Sequence, residues 1–549
     1  MRLTPAVRAL TLAAALLPPT ASSLLAQSDT WALTNARIQT VTKGVIDKGT
    51  ILIRKGLIEA VGPAVTVPAD ARVIDLAGKT VSPGLIDLTS SLGLAAPPAG
   101  GGGQGGGGGG AAPPAPSGPR GLEPERDVAR ELKVAPADVK PIRDAGIAAV
   151  LVAPSRGLFR GMSALIPLRD SVDDSEVIRA QVAMHIGYQG VPGDYPGTLL
   201  GVIAYQRQAF FDAQRQGLLQ DRYRTNPRGI GRPDNDPGLD ALVPVVRGQK
   251  PAFIDANNEN EIRRAVRLAR EFNLKAAIVG ATEGFEAVDA LAGRPTVVSV
   301  NFPQPAQTTG WSYRLSQRRA PNDSAAAARD AQKLIEGNAG ALNKAGIKIA
   351  LASGGTRPSD FLGNVRKAVA AGLPAGVALE ALTIRPAELA GAGEMLGSIE
   401  AGKIANLVVS NGDLLADSSR ISLMFVDGIR YEVAPPPART AGGNTAGPAA
   451  QLGGAWTMTL QSPQGPLELT MTVTQSGSTF SGSMVSPLGA SEVSGGEIAG
   501  RTATWSTTIQ VGGQSITLNY RGEVDGNRMT GSADLGTFGT ATFTAEKKP

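Results

Sequence analysis

Hydrophobic and polar positions follow two different rhythms along this chain. In Trp31-Ala-Leu-Thr-Asn-Ala-Arg-Ile, Gly49-Thr-Ile-Leu-Ile-Arg, Leu57-Ile-Glu-Ala-Val and Arg72-Val-Ile-Asp-Leu, apolar residues alternate with polar ones. Turn signals such as Lys55-Gly56 and Ala77-Gly78-Lys79 separate these runs. A period of two predicts half-buried strands joined by tight turns. The same texture returns at Gly397-Ser-Ile-Glu-Ala-Gly-Lys-Ile-Ala-Asn-Leu-Val-Val and at Ser422-Leu-Met-Phe-Val-Asp-Gly-Ile-Arg-Tyr-Glu-Val. Neither segment is large enough to bury a face alone, so each needs a partner.

Between them the rhythm changes. Gly146 to Pro154, Pro251 to Asp255, Leu274 to Gly280, Thr296 to Val300 and Ile347 to Ser353 are continuous apolar runs, as expected of strands buried on both faces. Helical patterns lie around them over 123–144, 195–223, 261–272, 283–291, 325–345, 361–371 and 376–388; Asn257 or Asn258 is placed to cap the third. Val177 to His185 reads as a strand or a short helix. Strand and helix in alternation predict a parallel sheet, hence an α/β fold. Residues 95–118 are a glycine-rich insertion with no side chains to build a core, and 434–450 is a Pro, Gly and Ala linker. Over 452–547, eight short Thr- and Ser-rich strands separated by glycine turns predict a separate all-β domain, an antiparallel barrel or sandwich.

Composition sharpens the picture at three points. The chain has no cysteine, which excludes disulfides, thiolate metal sites and a cysteine nucleophile. It has one histidine, His185, whereas catalytic zinc generally takes two or three imidazoles. His185 sits among Val182, Ala183, Met184 and Ile186, and reads as a structural histidine. The net charge of +5 is spread along the chain, so no nucleic-acid footprint stands out. At the N-terminus, Arg2 and Arg8 precede an apolar run from Ala9 to Leu17, Pro18-Pro19 breaks it, and Ala26 offers a cleavage point. That is the layout of an export signal over 1–26, and the run is too short to span a bilayer. The expectation is a periplasmic or secreted protein with no membrane span.

Val81-Ser-Pro-Gly-Leu-Ile-Asp-Leu-Thr-Ser-Ser-Leu-Gly93 resembles the first barrel strand of the amidohydrolase superfamily. Ala378-Leu-Glu-Ala-Leu-Thr-Ile-Arg-Pro-Ala-Glu-Leu-Ala-Gly with the Gly397 segment resembles the family's C-terminal signature. Gly157-Leu-Phe-Arg-Gly-Met-Ser-Ala is similar to a segment of a secreted branch, the imidazolonepropionase-like and dihydroorotase-like proteins. The resemblance covers about 31–433. It implies a TIM-like (β/α) barrel over 83–396, and beside it a β-sandwich composed of 31–82 and 397–433. It also implies a metal-dependent hydrolase of non-peptide C–N bonds, with a cation that activates water and an aspartate that shuttles the proton.

This sequence departs from that pattern wherever the resemblance places a ligand. Thr89 and Ser91 stand at the two positions of the His-x-His pair. Asp255 and Gly280 stand where later histidines are expected, and Gly354 at the position of the aspartate. No lysine is placed as a carboxylated bridge. Asp87 and Asp255 remain as oxygen donors for a weak Mg²⁺ or Ca²⁺ site, although a structural or polar-pocket role is favoured for both. No cofactor is therefore expected, and no catalytic residue is assigned. The expected pocket is lined by Thr89, Ser91, Asp255, Asn257 and Gly354. Three readings compete: a degenerate homologue that keeps a pocket for an amide-type small molecule, or partners an active paralogue or itself; an active hydrolase; and a binding protein acting through its C-terminal β domain.

Overall fold

The computed structural model describes residues 30–95, 122–170, 176–189, 195–302, 324–434, 450–462, 465–486, 489–511, 514–534 and 540–548. The segment 1–26 and nearly all of the insertion and linker expected at 95–118 and 434–450 lie outside the described residues. The chain divides into two compact units, 1–434 and 435–549.

In the first unit, β1 (Thr30–Gln39), β2 (Val45–Arg54), β3 (Leu57–Gly62), β4 (Arg72–Asp75) and β5 (Thr80–Pro83) come from the N-terminal side. They share one eight-stranded sheet with strands from the far end of the unit, Leu407–Ser410, Ile421–Val426 and Ile429–Glu432. The joint is antiparallel, with Val81 opposite Val409 and Pro83 opposite Leu407. Leu33, Ile38, Ile51, Ile53, Val81, Leu407, Val409 and Phe425 form its buried core.

The central strands are β6 (Leu85–Ser90), β7 (Ile147–Val152), β8 (Phe159–Met162), β9 (Ala164–Pro167), β10 (Met184–Ile186), β11 (Ala252–Ala256), β12 (Ala276–Gly280), β13 (Thr296–Ser299) and β14 (Ile349–Ala352). They form a three-stranded sheet, β6-β7-β9, and a six-stranded sheet, β14-β13-β12-β11-β10-β8. Pairings from β10 through β14 and between β6 and β7 are parallel, whereas β8 and β9 run against their neighbours. The continuous apolar runs have the expected cause. Ala148, Val150 and Val152 belong to the core packed against the helices, while Ala149 and Leu151 join Ile86, Phe253, Val279, Val297 and Ala350 in a second core.

Around these sheets lie α1 (Pro136–Asp144), α2 (Leu199–Thr225), α3 (Pro237–Val246), α4 (Glu259–Glu271), α5 (Val288–Leu291), α6 (Ser324–Lys344), α7 (Pro358–Ala370), α8 (Ala375–Leu382) and α9 (Ile384–Leu389). Several expected helices are shorter. Over 123–144 only a 3-10 turn at Val128–Arg130 and α1 are helical, since Pro136 sets the start of α1. Before β10, Val177 to Ala183 includes no regular strand or helix, so only Met184–Ile186 fits the strand alternative. The pattern over 283–291 splits into a 3-10 turn and one α turn. The run at 376–388 breaks at Thr383 (φ −127°, ψ −83°), where Pro386 lacks the N–H that would continue the helical ladder. No helix among the described residues is long and apolar enough to cross a membrane.

The second unit is a closed barrel of eight antiparallel strands between Gly454 and Lys547, each paired with its neighbours in sequence and the last with the first. Aromatic rings cluster in its buried core. Trp505 stacks on Tyr520 with ring centroids 5.1 Å apart, and Phe543 packs edge-on to both. Gly531 makes room for that ring, because a Cβ there would stand 2.7 Å from the Phe543 ring edge. Closure leaves no unpaired sheet edge, and this unit has its own buried core. A fragment beginning at Ala450 is therefore expected to unfold in one cooperative transition. A gradual, non-cooperative melt by circular dichroism would show that the barrel depends on the first unit.

Candidate ligand pocket at the strand ends

A cavity of about 320 Å³ opens over the C-terminal ends of the central parallel strands, where loops collect side chains from strand after strand. Thr89 and Ser91 come from the end of β6, Arg160 from β8, His185 from β10, and Asp255 and Asn257 from the end of β11. Gly280 closes β12, Ser299 closes β13, and Gly354 follows β14. All five residues expected at a pocket, Thr89, Ser91, Asp255, Asn257 and Gly354, line this one cavity.

Its floor is a hydrogen-bond lock between β6 and β14. The buried Asp87 carboxylate accepts from the Thr89 amide at 3.1 Å and the Thr89 hydroxyl at 3.0 Å. It also accepts from the Ser353 amide at 3.0 Å and the Ser353 hydroxyl at 2.6 Å. Thr89 Oγ1 in turn accepts the Gly354 amide at 2.9 Å. β6 and β14 are edge strands of different sheets, so these side-chain bonds do what a backbone ladder does elsewhere. Asp87 is thus occupied as an acceptor inside the frame.

On the opposite wall, Arg160 Nη1 donates to Asp255 Oδ2 at 2.6 Å, with the arginine only 6% exposed. Its Nε donates to the Gly157 carbonyl at 3.1 Å and Nη1 reaches the Pro154 carbonyl at 3.5 Å. The His185 ring packs on Phe253, with centroids 5.4 Å apart, and its buried Nε2 has no hydrogen-bond partner. Burial, and secondarily the charge of Arg160, push the imidazole far below the usual histidine range, to about 3. It is neutral throughout the physiological range.

Asn258 caps α4 in a reciprocal capping box with Glu261, which leaves Asn257 for the cavity, where its Oδ1 accepts from the Thr282 hydroxyl at 3.2 Å. Arg160, Ser353 and Ser299 did not stand out in the sequence. The available signal was an arginine set between Phe159 and Met162 in a fully buried strand, since a buried guanidinium requires a counter-charge.

The residues present do not fit the divalent cation that the sequence resemblance implies. Gly354 has φ +59°, and a Cβ there would overlap the Ser299 hydroxyl. Gly280 has φ +99°, and a Cβ there would overlap Asn257 Oδ1. Both backbones are in the region that suits glycine, and the space a ligand side chain would need is filled by neighbours. Asp87 and Asp255 are each paired, and hydroxyls are poor zinc ligands. Among the described residues no three of His, Asp or Glu converge to hold a metal.

Residues 248–432 match the model of the amidohydrolase family, so an amidohydrolase family domain occupies that stretch. The chain is similar in fold to an amidohydrolase from Thermotoga maritima MSB8, with 21% identity over 73% of this chain and 99% of that one, at a TM-score of 0.59. Lesser similarity extends to a Xaa-Pro dipeptidase with bound methionine (18% identity, 73% of this chain, 100% of that one, TM-score 0.44). An adenosine deaminase from Xanthomonas campestris with bound zinc also matches (15% identity, 75% of this chain, 95% of that one, TM-score 0.39). No curated protein matches.

The lock predicts a stability effect. Asp87→Ala removes the acceptor of two amides and two hydroxyls in a buried setting, and is expected to cost about 3 kcal/mol or more. Asp87→Asn, which keeps one acceptor oxygen, should cost less. Urea midpoints of the two variants check this, and an unshifted midpoint for Asp87→Ala would mean the strands are held together by packing alone.

Proposed function

We propose that this chain is an exported, catalytically silent homologue of the amidohydrolases that binds a polar, amide-type small molecule without turning it over. The two central sheets are the arcs of one TIM-like (β/α) barrel, closed by the Asp87 lock, and the cavity at its strand ends is the binding site. One observation carries the reading: Gly354, at the position of the proton-shuttling aspartate, is locked at positive φ against Ser299 and beside the Asp87 network. With no side chain there, proton transfer at that point has no agent.

The lining supports binding of a neutral polar molecule. Its charged pair, Arg160 and Asp255, is internally balanced, and hydroxyls of Ser91, Ser155 and Ser299 with the amide of Asn257 offer both donors and acceptors.

The purified mature protein is expected to contain no stoichiometric zinc, and to show no hydrolysis of cyclic amides that chelators abolish and metal restores. Elemental analysis together with a chelation assay tests this; stoichiometric zinc with chelator-sensitive turnover would establish an active enzyme instead. The leader segment is supported by the charge and apolar pattern of 1–26. N-terminal sequencing of the protein from the extracytoplasmic fraction should begin near Gln27, and a cytosolic product retaining Met1 would refute export.

A further inference from the structure

Three central strands lie side by side in the order β8, β10, β11. Arg160 is on the first and Asp255 on the third, and their side chains meet at 2.6 Å. The arginine therefore crosses the whole width of β10 to reach its partner. Residues two apart on a strand share a face, so His185 and Gly187 lie on the same side of the chain at the end of β10. Gly187 is where the guanidinium passes: a Cβ there would overlap Nη2. The carbonyls of Gly157 and Pro154 hold the same group from the side of its own strand. His185 lines the same cavity, 4% exposed, with Nε2 unpartnered.

We propose that the Arg160 guanidinium is the pocket's built-in cation: laid across β10 and paired with Asp255, it bars divalent metal ions from Asp255 and His185, the two side chains there best suited to hold one. This rests on the metal-free reading of the pocket and assigns its cause to a residue that is present rather than only to ligands that are missing. A guanidinium carries its charge at every pH a protein meets, and this one is fixed by three acceptors and the Gly187 gap. A second cation placed against Asp255 would meet that charge at close range, since the guanidinium already stands 2.6 Å from the carboxylate. Lysine at 160 would keep the charge while losing the planar fork; methionine would keep the length and lose the charge.

The single histidine makes the test local, since every histidine ring signal in a proton NMR spectrum reports on this pocket. Cobalt(II) ion alone is titrated into the full-length mature protein, and paramagnetic broadening of the His185 ring signal is followed. In wild type and in Arg160→Lys the signal should be insensitive to cobalt. In Arg160→Met it should broaden at a cobalt concentration at least tenfold lower, and Arg160→Gln, a smaller polar replacement, supplies the same reading should the methionine variant fail to fold by circular dichroism. Broadening in wild type as readily as in the uncharged variants overturns the proposal, as does a folded uncharged variant no more sensitive than wild type. The second outcome leaves the metal-free reading intact, whereas zinc in the purified protein would sink that reading itself.

Discussion

The carboxylate of Asp87 is the constraint on which the central fold turns. It sits where two sheets present edge strands to each other, β6 from one and β14 from the other, with no backbone ladder between them. Four donors converge on it, two from Thr89 and two from Ser353. A buried carboxylate without donors is strongly unfavourable, and a fully satisfied one fixes the geometry of everything bonded to it. Here it sets the ends of β6 and β14, and through Thr89 Oγ1 it also sets the amide of Gly354. The floor of the cavity is thus shaped by the same bonds that hold the strands in register.

The second charged centre, Arg160 with Asp255, works on the wall as Asp87 works on the floor. Buried ion pairs gain little net stability but are costly to break, because the remaining partner is left uncompensated. The guanidinium is nearly inaccessible while Asp255 keeps a third of its side-chain surface open, so the carboxylate is the more accessible member of the pair. Hydroxyls and an amide make up much of the remaining polar lining. The electrostatic character of the pocket is that of a balanced dipole, with a neutral imidazole beside it.

The sequence announced strands and parallel sheet well where both faces of a strand are buried, as in Ile147 to Val152, because a short unbroken apolar run between turn signals fits a strand covered on both sides. Eight short strands after residue 450 were equally legible, since their glycine turns punctuate a regular alternation. Helix ends were less so: Thr383 and Pro386 break a run whose apolar spacing is continuous, and that break depends on one missing N–H. In the pocket, Thr89 and Gly354 were legible because the resemblance drew attention to their positions. The charged pair on the wall was not. Arg160 and Asp255 are 95 residues apart in sequence, and nothing local to either names the other.

The residues that the sequence resemblance sets against metal ligands are physically interlocked in this pocket. A carboxylate at 354 would have to displace the Ser299 hydroxyl, which accepts the amide of Asn301, whose own side chain donates to the Gly354 carbonyl. An imidazole at 280 would have to displace Asn257, which holds Thr282. Freeing Asp255 would leave Arg160 buried without its counter-charge, and freeing Asp87 would undo the joint between the sheets. Each of these places is filled by a group with its own hydrogen bonds, so a ligand side chain introduced at any one of them would cost bonds before it gained a cation. The stable arrangement is the one seen here, in which side-chain bonds and an internal guanidinium hold the strand ends.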